Sequence, residues 1–161
     1  MKLTTVGVLA VSLILLAPAS AALALSRPLF VDTFPFGFRG VPKSVKAGEV
    51  KVLLFNRPTN AEEHEIAFFK LAPENEGATI ADAIAAADAA GGSDDDPTFG
   101  GFTTGFNGEV AEVPPGRVGK ATVDLTKSGR YVYYCFVRSP ANGDQPHYKL
   151  QPGMLGFIKA T

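Results

Sequence analysis

The chain has 161 residues, 46% of them apolar and 19% charged, which suits one domain with a sizeable core and excludes wholesale disorder. A net charge of −1 lacks the basic footprint of a nucleic-acid binder. One Cys excludes an internal disulfide, and two His exclude any site that needs three imidazoles.

Lys2 is followed by a charge-free stretch from Leu3 to Ser26 with an apolar centre from Val6 to Ala17. Pro18 then leads into Ala19-Ser20-Ala21, small residues at the −3 and −1 positions of a cleavage site. This is the layout of a secretory signal peptide over residues 1–21, with a second acceptable cut after Ala24. The expectation is an exported protein, periplasmic or extracellular, with its domain over residues 27–161 and no stable membrane insertion after cleavage. In that oxidising space a lone free Cys needs a chemical reason.

Glu49 to Asn56 begins as a polar/apolar alternation and then turns apolar, so it reads as a strand. Arg57-Pro58-Thr59-Asn60 is a turn, and His64 to Leu71 is a second strand that ends before Pro73. Between Thr79 and Ala90 the period changes: Ile80, Ala83, Ile84 and Ala87 recur at helical spacing. Thr79 and Asp82 offer a capping box at its start, and Gly91-Gly92 a stop. Ser93 to Gly108 reads as a Gly- and Asp-rich loop, in which Asp94-Asp95-Asp96 is a solvated turn or a docking patch for a cationic partner. Pro114-Pro115-Gly116 turns into a strand from Lys120 to Leu125, and Ser128-Gly129 into an aromatic, β-branched strand from Arg130 to Val137. Ser139 to Gly153 is polar and turn-rich, and Met154 to Lys159 closes the chain as a strand. The pattern predicts an all-β fold, a β-sandwich with one short helical insertion.

The scarce metal-ligating side chains stand at informative places. His64 opens a strand, Cys135 lies near the end of the aromatic strand, His147 sits in the next loop, and Met154 opens the last strand. Two imidazoles, a thiolate and a thioether suit a trigonal copper site with a weak axial Met. They comprise both His, the one Cys and the one Met beyond the initiator. Competing centres fail on counting: a binuclear copper site needs two Cys, a multicopper cluster needs more His, and structural zinc has no use for Met154. The HExxH signature of zinc proteases is absent, since His64-Glu65 continues as Ile-Ala-Phe, and no nucleophile-elbow motif supports a hydrolase.

Gly129-Arg130-Tyr131-Val132-Tyr133-Tyr134-Cys135, then Pro146-His147, then Gly153-Met154, resembles the C-terminal copper loop of the cupredoxins, the plastocyanin-like blue-copper proteins. Asn56, His64-Glu65-Ile66 and Pro114-Pro115-Gly116 extend the resemblance over about Val45 to Lys159. It implies a Greek-key sandwich with one mononuclear copper, cycling between Cu(I) and Cu(II), on His64, Cys135, His147 and Met154. The implied role is one-electron transfer between redox partner proteins, with no enzymatic turnover. Copper holding or delivery, and a non-redox interaction module, are the alternatives. The chain departs from the small carriers of the family in its longer loops, eleven residues between Cys135 and His147 and six between His147 and Met154. Glu65 stands where the family commonly has an Asn after the first His. Pro140, Pro146, Tyr148 and Leu150 flank His147, whose ring edge is expected to face solvent within a small apolar docking patch.

Overall fold

A computed structural model describes residues 27–93, 95–150 and 153–161. The signal-peptide reading of residues 1–21 and Asp94 of the acidic run lie outside them. Among the described residues the strands are β1 (Leu29–Phe34), β2 (Gly37–Arg39), β3 (Ser44–Val45), β4 (Gly48–Asn56), β5 (His64–Leu71), β6 (Thr103–Val113), β7 (Val118–Leu125), β8 (Gly129–Tyr134), β9 (Arg138–Ser139), β10 (Gln145–Pro146) and β11 (Leu155–Ala160). The helices are α1 (Ile80–Ala89) and the single turn α2 (His147–Leu150).

Two sheets face each other. One has the order β2-β1-β4-β7, and the other β3-β11-β8-β5-β6. The pairs β1/β4 and β3/β11 are parallel, whereas β4/β7, β5/β6, β5/β8 and β8/β11 are antiparallel. In β4 the period of two is clean: Val50, Val52, Leu54 and Asn56 point inward while Glu49, Lys51 and Phe55 point out. Val50, Val52 and Leu54 meet Ile66 and Phe68 of β5, Val123 and Leu125 of β7, Tyr131 of β8 and Ile158 of β11 to form the core between the sheets.

The β5 sequence HEIAFFKL is apolar on both faces because both faces are covered. Ile66 and Phe68 enter the inter-sheet core, while Ala67, Phe69 and Leu71 pack outward with Val132, Tyr134, Phe99, Ala83 and Ala87. The helical insertion is therefore a third layer over the outer face of β5 and β8. Its start is the predicted capping box: Thr79 Oγ1 accepts from Asp82 N, and Thr79 N donates to Asp82 Oδ2 at 2.8 Å. It stops where Gly92, at φ 69°, donates its N–H to the Ala87 carbonyl.

Three sequence expectations change. The stretch read as a loop to Gly108 becomes strand from Thr103 onward, in an irregular β6 that shifts register against β5 at several points. Gly105 and Gly108 take left-handed φ values, and Asn107 Oδ1 accepts from Lys70 N at 2.7 Å, so turn-type residues here make bulges within a strand. The aromatic strand stops at Tyr134, leaving Cys135 just beyond the ladder, and the last strand begins at Leu155, just after Met154. Asp95 and Asp96 cap their own turn, accepting from Ser93, Thr98 and Gly100. No helix among the described residues is long and apolar enough to cross a membrane.

Candidate metal centre

Four chain segments meet at one pole of the sandwich, and main-chain hydrogen bonds fix how they meet. Cys135 N donates to the Met154 carbonyl at 3.0 Å, and Tyr148 N donates to the Cys135 carbonyl at 3.1 Å. His147 N donates to the Val137 carbonyl at 2.9 Å. The long polar loop after Cys135 thus folds back through the β9/β10 hairpin and delivers His147 beside Cys135. Phe38 N donates to the Gly153 carbonyl at 3.0 Å, tying the following loop to β2. A Cβ on Gly153 would stand 3.0 Å from the Gly37 Cα, a tight contact, so glycine eases the close approach of the two chains.

His64 arrives as the first residue of β5, and its ligating atom, that of His147 and the Cys135 sulfur lie within 4.8 Å of one another. The two imidazoles face each other Nδ1 to Nδ1 at 3.1 Å, and Cys135 Sγ is 3.5 Å from His147 Nδ1. Donors that share one ion through bonds of about 2.0 Å to nitrogen and 2.3 Å to sulfur stand at such separations. All three side chains are buried. Burial pushes the His64 imidazole down to about 4, with the neighbouring His147 adding to the effect and Glu62 opposing it. Burial likewise holds His147 below the usual His range against the pull of Glu62. Burial thus favours the uncharged form of each ring, in which one ring nitrogen carries a lone pair. Burial pushes the Cys135 thiol well above its ordinary range. A buried set of two neutral imidazole nitrogens and one sulfur fits a soft or borderline cation such as copper.

The surroundings orient these donors. Glu65 N–H points at Cys135 Sγ at 3.5 Å, and Glu65 Oε1 accepts from Phe136 N at 2.7 Å. The residue after the first His thus ties the His64 strand to the Cys135 segment. His147 Nε2 stands 2.7 Å from Glu62 Oε2, and the Phe36 ring meets the imidazole edge-on with centroids 5.2 Å apart. A carboxylate only accepts, so Nε2 holds the proton and Nδ1 offers its lone pair to the cavity shared with His64 and Cys135.

The structure thus brings together His64, Cys135 and His147 of the four predicted ligands and places the fourth, the fully buried Met154, next to Cys135 through the main chain. It overturns the expectation of an exposed His147 edge. The ring is 0% exposed, Tyr148 and Pro146 are buried with it, and Glu62 and Phe36 cover it. The one-turn helix that opens at His147 carries the ring into the buried pole, and the β9/β10 hairpin brings Ser139 to Glu62. Sequence reading missed Glu62 and Phe36, since a carboxylate two positions before a His and an aromatic in a Pro/Gly-rich turn are not signals.

No family model matches the chain, and no curated protein is similar to it in sequence. Solved structures are similar in fold. Auracyanin B superposes with a TM-score of 0.55 at 21% identity, over 83% of this chain and 88% of its own. The dithionite-reduced auracyanin of the photosynthetic bacterium Roseiflexus castenholzii does so with a TM-score of 0.53 at 20% identity, over 82% and 94%. Auracyanin A, a blue copper protein of the green thermophilic bacterium Chloroflexus aurantiacus, gives 0.53 at 18% identity, over 83% and 98%. The two-sheet sandwich is the fold of these proteins, and the chain has the cupredoxin fold.

Proposed function

We propose that the chain is an exported one-electron carrier that holds a single copper ion between His64, Cys135 and His147, with Met154 as a weak fourth ligand. The observation that carries this reading is the buried convergence of two imidazole Nδ1 atoms and one thiol within 4.8 Å. Bound copper would supply a one-electron couple, Cu(I)/Cu(II), in a setting where thiolate and thioether suit one state and imidazole the other.

The protein's own residues provide the rest. Cys135, His147 and Met154 are held by the hydrogen bonds that join their loops to one another. His64 is held by the β5 ladder. Such fixed donors keep rearrangement small when charge changes, and burial of all four side chains keeps water from the site. These same features favour a carrier over a delivery protein, because release of the metal would require the stitched loops to part. The leader-like residues before Ser26 support export, and a redox partner protein is the expected acceptor or donor.

The test is repeated chemical reduction and oxidation of the copper-loaded protein in the presence of a competing chelator. The carrier reading expects many cycles without loss of metal. Transfer of copper to the chelator within the first cycles would instead indicate delivery.

A further inference from the structure

We infer that Glu62 is a positioning residue for the His147 ligand: its carboxylate holds the imidazole through Nε2, fixes Nδ1 as the nitrogen offered to the ion, and favours the oxidised over the reduced metal. The inference rests on the copper reading above and assigns a role to a residue outside the donor set.

Both carboxylate oxygens of Glu62 are engaged. Oε2 meets His147 Nε2 at 2.7 Å, and Oε1 accepts from Ser139 Oγ at 2.6 Å. Asn142 Nδ2 donates in turn to Ser139 Oγ at 2.8 Å, so the orienting chain runs from the β9/β10 loop to the ligand. The Glu62 main chain is fixed as well, because its carbonyl accepts from Asn56 Nδ2 at 2.9 Å. Glu62 is thus held at its backbone and at both side-chain oxygens. Phe36 meets the imidazole ring as well.

Two consequences follow from general chemistry. An imidazole can bind a metal through either nitrogen, and the partner of the other nitrogen decides which. With Nε2–H committed to an acceptor-only carboxylate, the Nε2-bound mode is closed and the ring does not have to be ordered when the ion arrives. A carboxylate on the far nitrogen also raises the basicity of the ligating one. Added donor strength and a nearby negative charge stabilise the doubly charged ion more than the singly charged one. Glu62 therefore lowers the reduction potential. Glu63 offers an internal comparison: it is the same residue type one position away, is exposed, and among the described residues no hydrogen bond or ion pair joins it to either imidazole.

The experiment compares Glu62→Gln, Ser139→Ala and Glu63→Gln with the parent protein by three readouts: reduction potential, Cu(II) affinity, and the His147 tautomer in the metal-free protein by long-range 1H–15N NMR. Glu62→Gln is expected to bind one copper with its visible band retained and to lose Cu(II) affinity by about 10–100-fold. Each tenfold loss confined to Cu(II) reads as a potential rise of about 59 mV for this one-electron couple. Ser139→Ala should shift the potential in the same direction by less, and Glu63→Gln should leave it nearly unchanged. The metal-free parent should show His147 protonated at Nε2 alone, and Glu62→Gln a mixture. Equal potentials in Glu62→Gln and Glu63→Gln would overturn the inference, as would a His147 protonated at Nδ1 in the metal-free parent. Should Glu62→Gln fail to fold, Ser139→Ala and the parent tautomer decide the matter. A parent protein that gave no thiolate-to-copper band would defeat the copper reading, while the tautomer measurement would still judge the role of Glu62.

Discussion

Asn56 Nδ2 donates to the main-chain carbonyl of Glu62 at 2.9 Å, so the last residue of a strand in one sheet holds the segment that leads into His64 in the other. The same amide group donates to the Val113 carbonyl at 2.7 Å, and Asn56 Oδ1 accepts from Thr33 Oγ1 and Asn60 Nδ2. One buried side chain thus joins β1, β4, the following turn, the approach to β5 and the end of β6.

Asn56→Ala should destabilise the metal-free protein by about 2–4 kcal/mol, since several buried donors and acceptors lose their partner and each unsatisfied group costs about 1–3 kcal/mol. Urea unfolding of the metal-free protein measures this directly. A loss below about 0.5 kcal/mol, on the order of an exposed substitution, would mean that the network is dispensable.

His64, Cys135 and His147 were legible because scarce ligand types, spaced on strand ends, leave few other uses for themselves. The strands β4, β5 and β8 were legible from alternation or from a β-branched and aromatic run, and α1 from its period and capping box. The strands β1 to β3 were not, because Pro35, Gly37, Gly40 and Pro42 punctuate a stretch with little alternation. Nor was β6, whose Gly105, Asn107 and Gly108 are turn residues used for bulges. The environment of His147 was illegible for a different reason. It depends on Phe36, Glu62 and Ser139, brought together only by tertiary packing, and none of them has a local pattern.

Met154 is expected to act as the weak axial donor. Met154→Leu should keep the copper and raise the reduction potential, because loss of a donor disfavours Cu(II). Met154→Gln should lower it, since an amide oxygen is a harder ligand. Voltammetry of the two variants decides, and unchanged potentials in both would reduce Met154 to packing.

The third layer braces the His147 loop through Tyr148. Its hydroxyl donates to Asp88 Oδ1 at 2.8 Å, and Lys149 Nζ pairs with the same oxygen at 2.8 Å, so α1 holds α2 from outside. Tyr148→Phe keeps the ring among Tyr134 and Phe136 and removes only the hydroxyl. The expected loss is about 1–2 kcal/mol of stability with an unchanged visible spectrum, because no donor atom moves. A spectral change with intact stability would show that the hydroxyl acts on the ligand geometry.

Glu76 sets part of the acid limit of the fold. Burial alone would raise its carboxyl, but the Lys70 ammonium at 2.7 Å and the N–H of Arg130 outweigh it and hold the group below the usual Glu range. A folded-state value below the unfolded one means that this stability is present above the unfolded value and is lost as pH falls through the folded one. Glu76→Gln should therefore unfold more readily than the parent at neutral pH, with the difference shrinking as both are acidified below the carboxylate range. Urea midpoints across that range check it, and a difference that did not depend on pH would assign the effect to packing.

Titration of the metal-free protein with Cu(II), followed in the visible region, tests the central claim most directly. An intense thiolate-to-copper band that saturates at one copper per chain is expected, with its complete loss in Cys135→Ser while the far-ultraviolet signature of the sandwich persists. A colourless Cu(II) complex of the intact protein, or a band that survives Cys135→Ser, would contradict it.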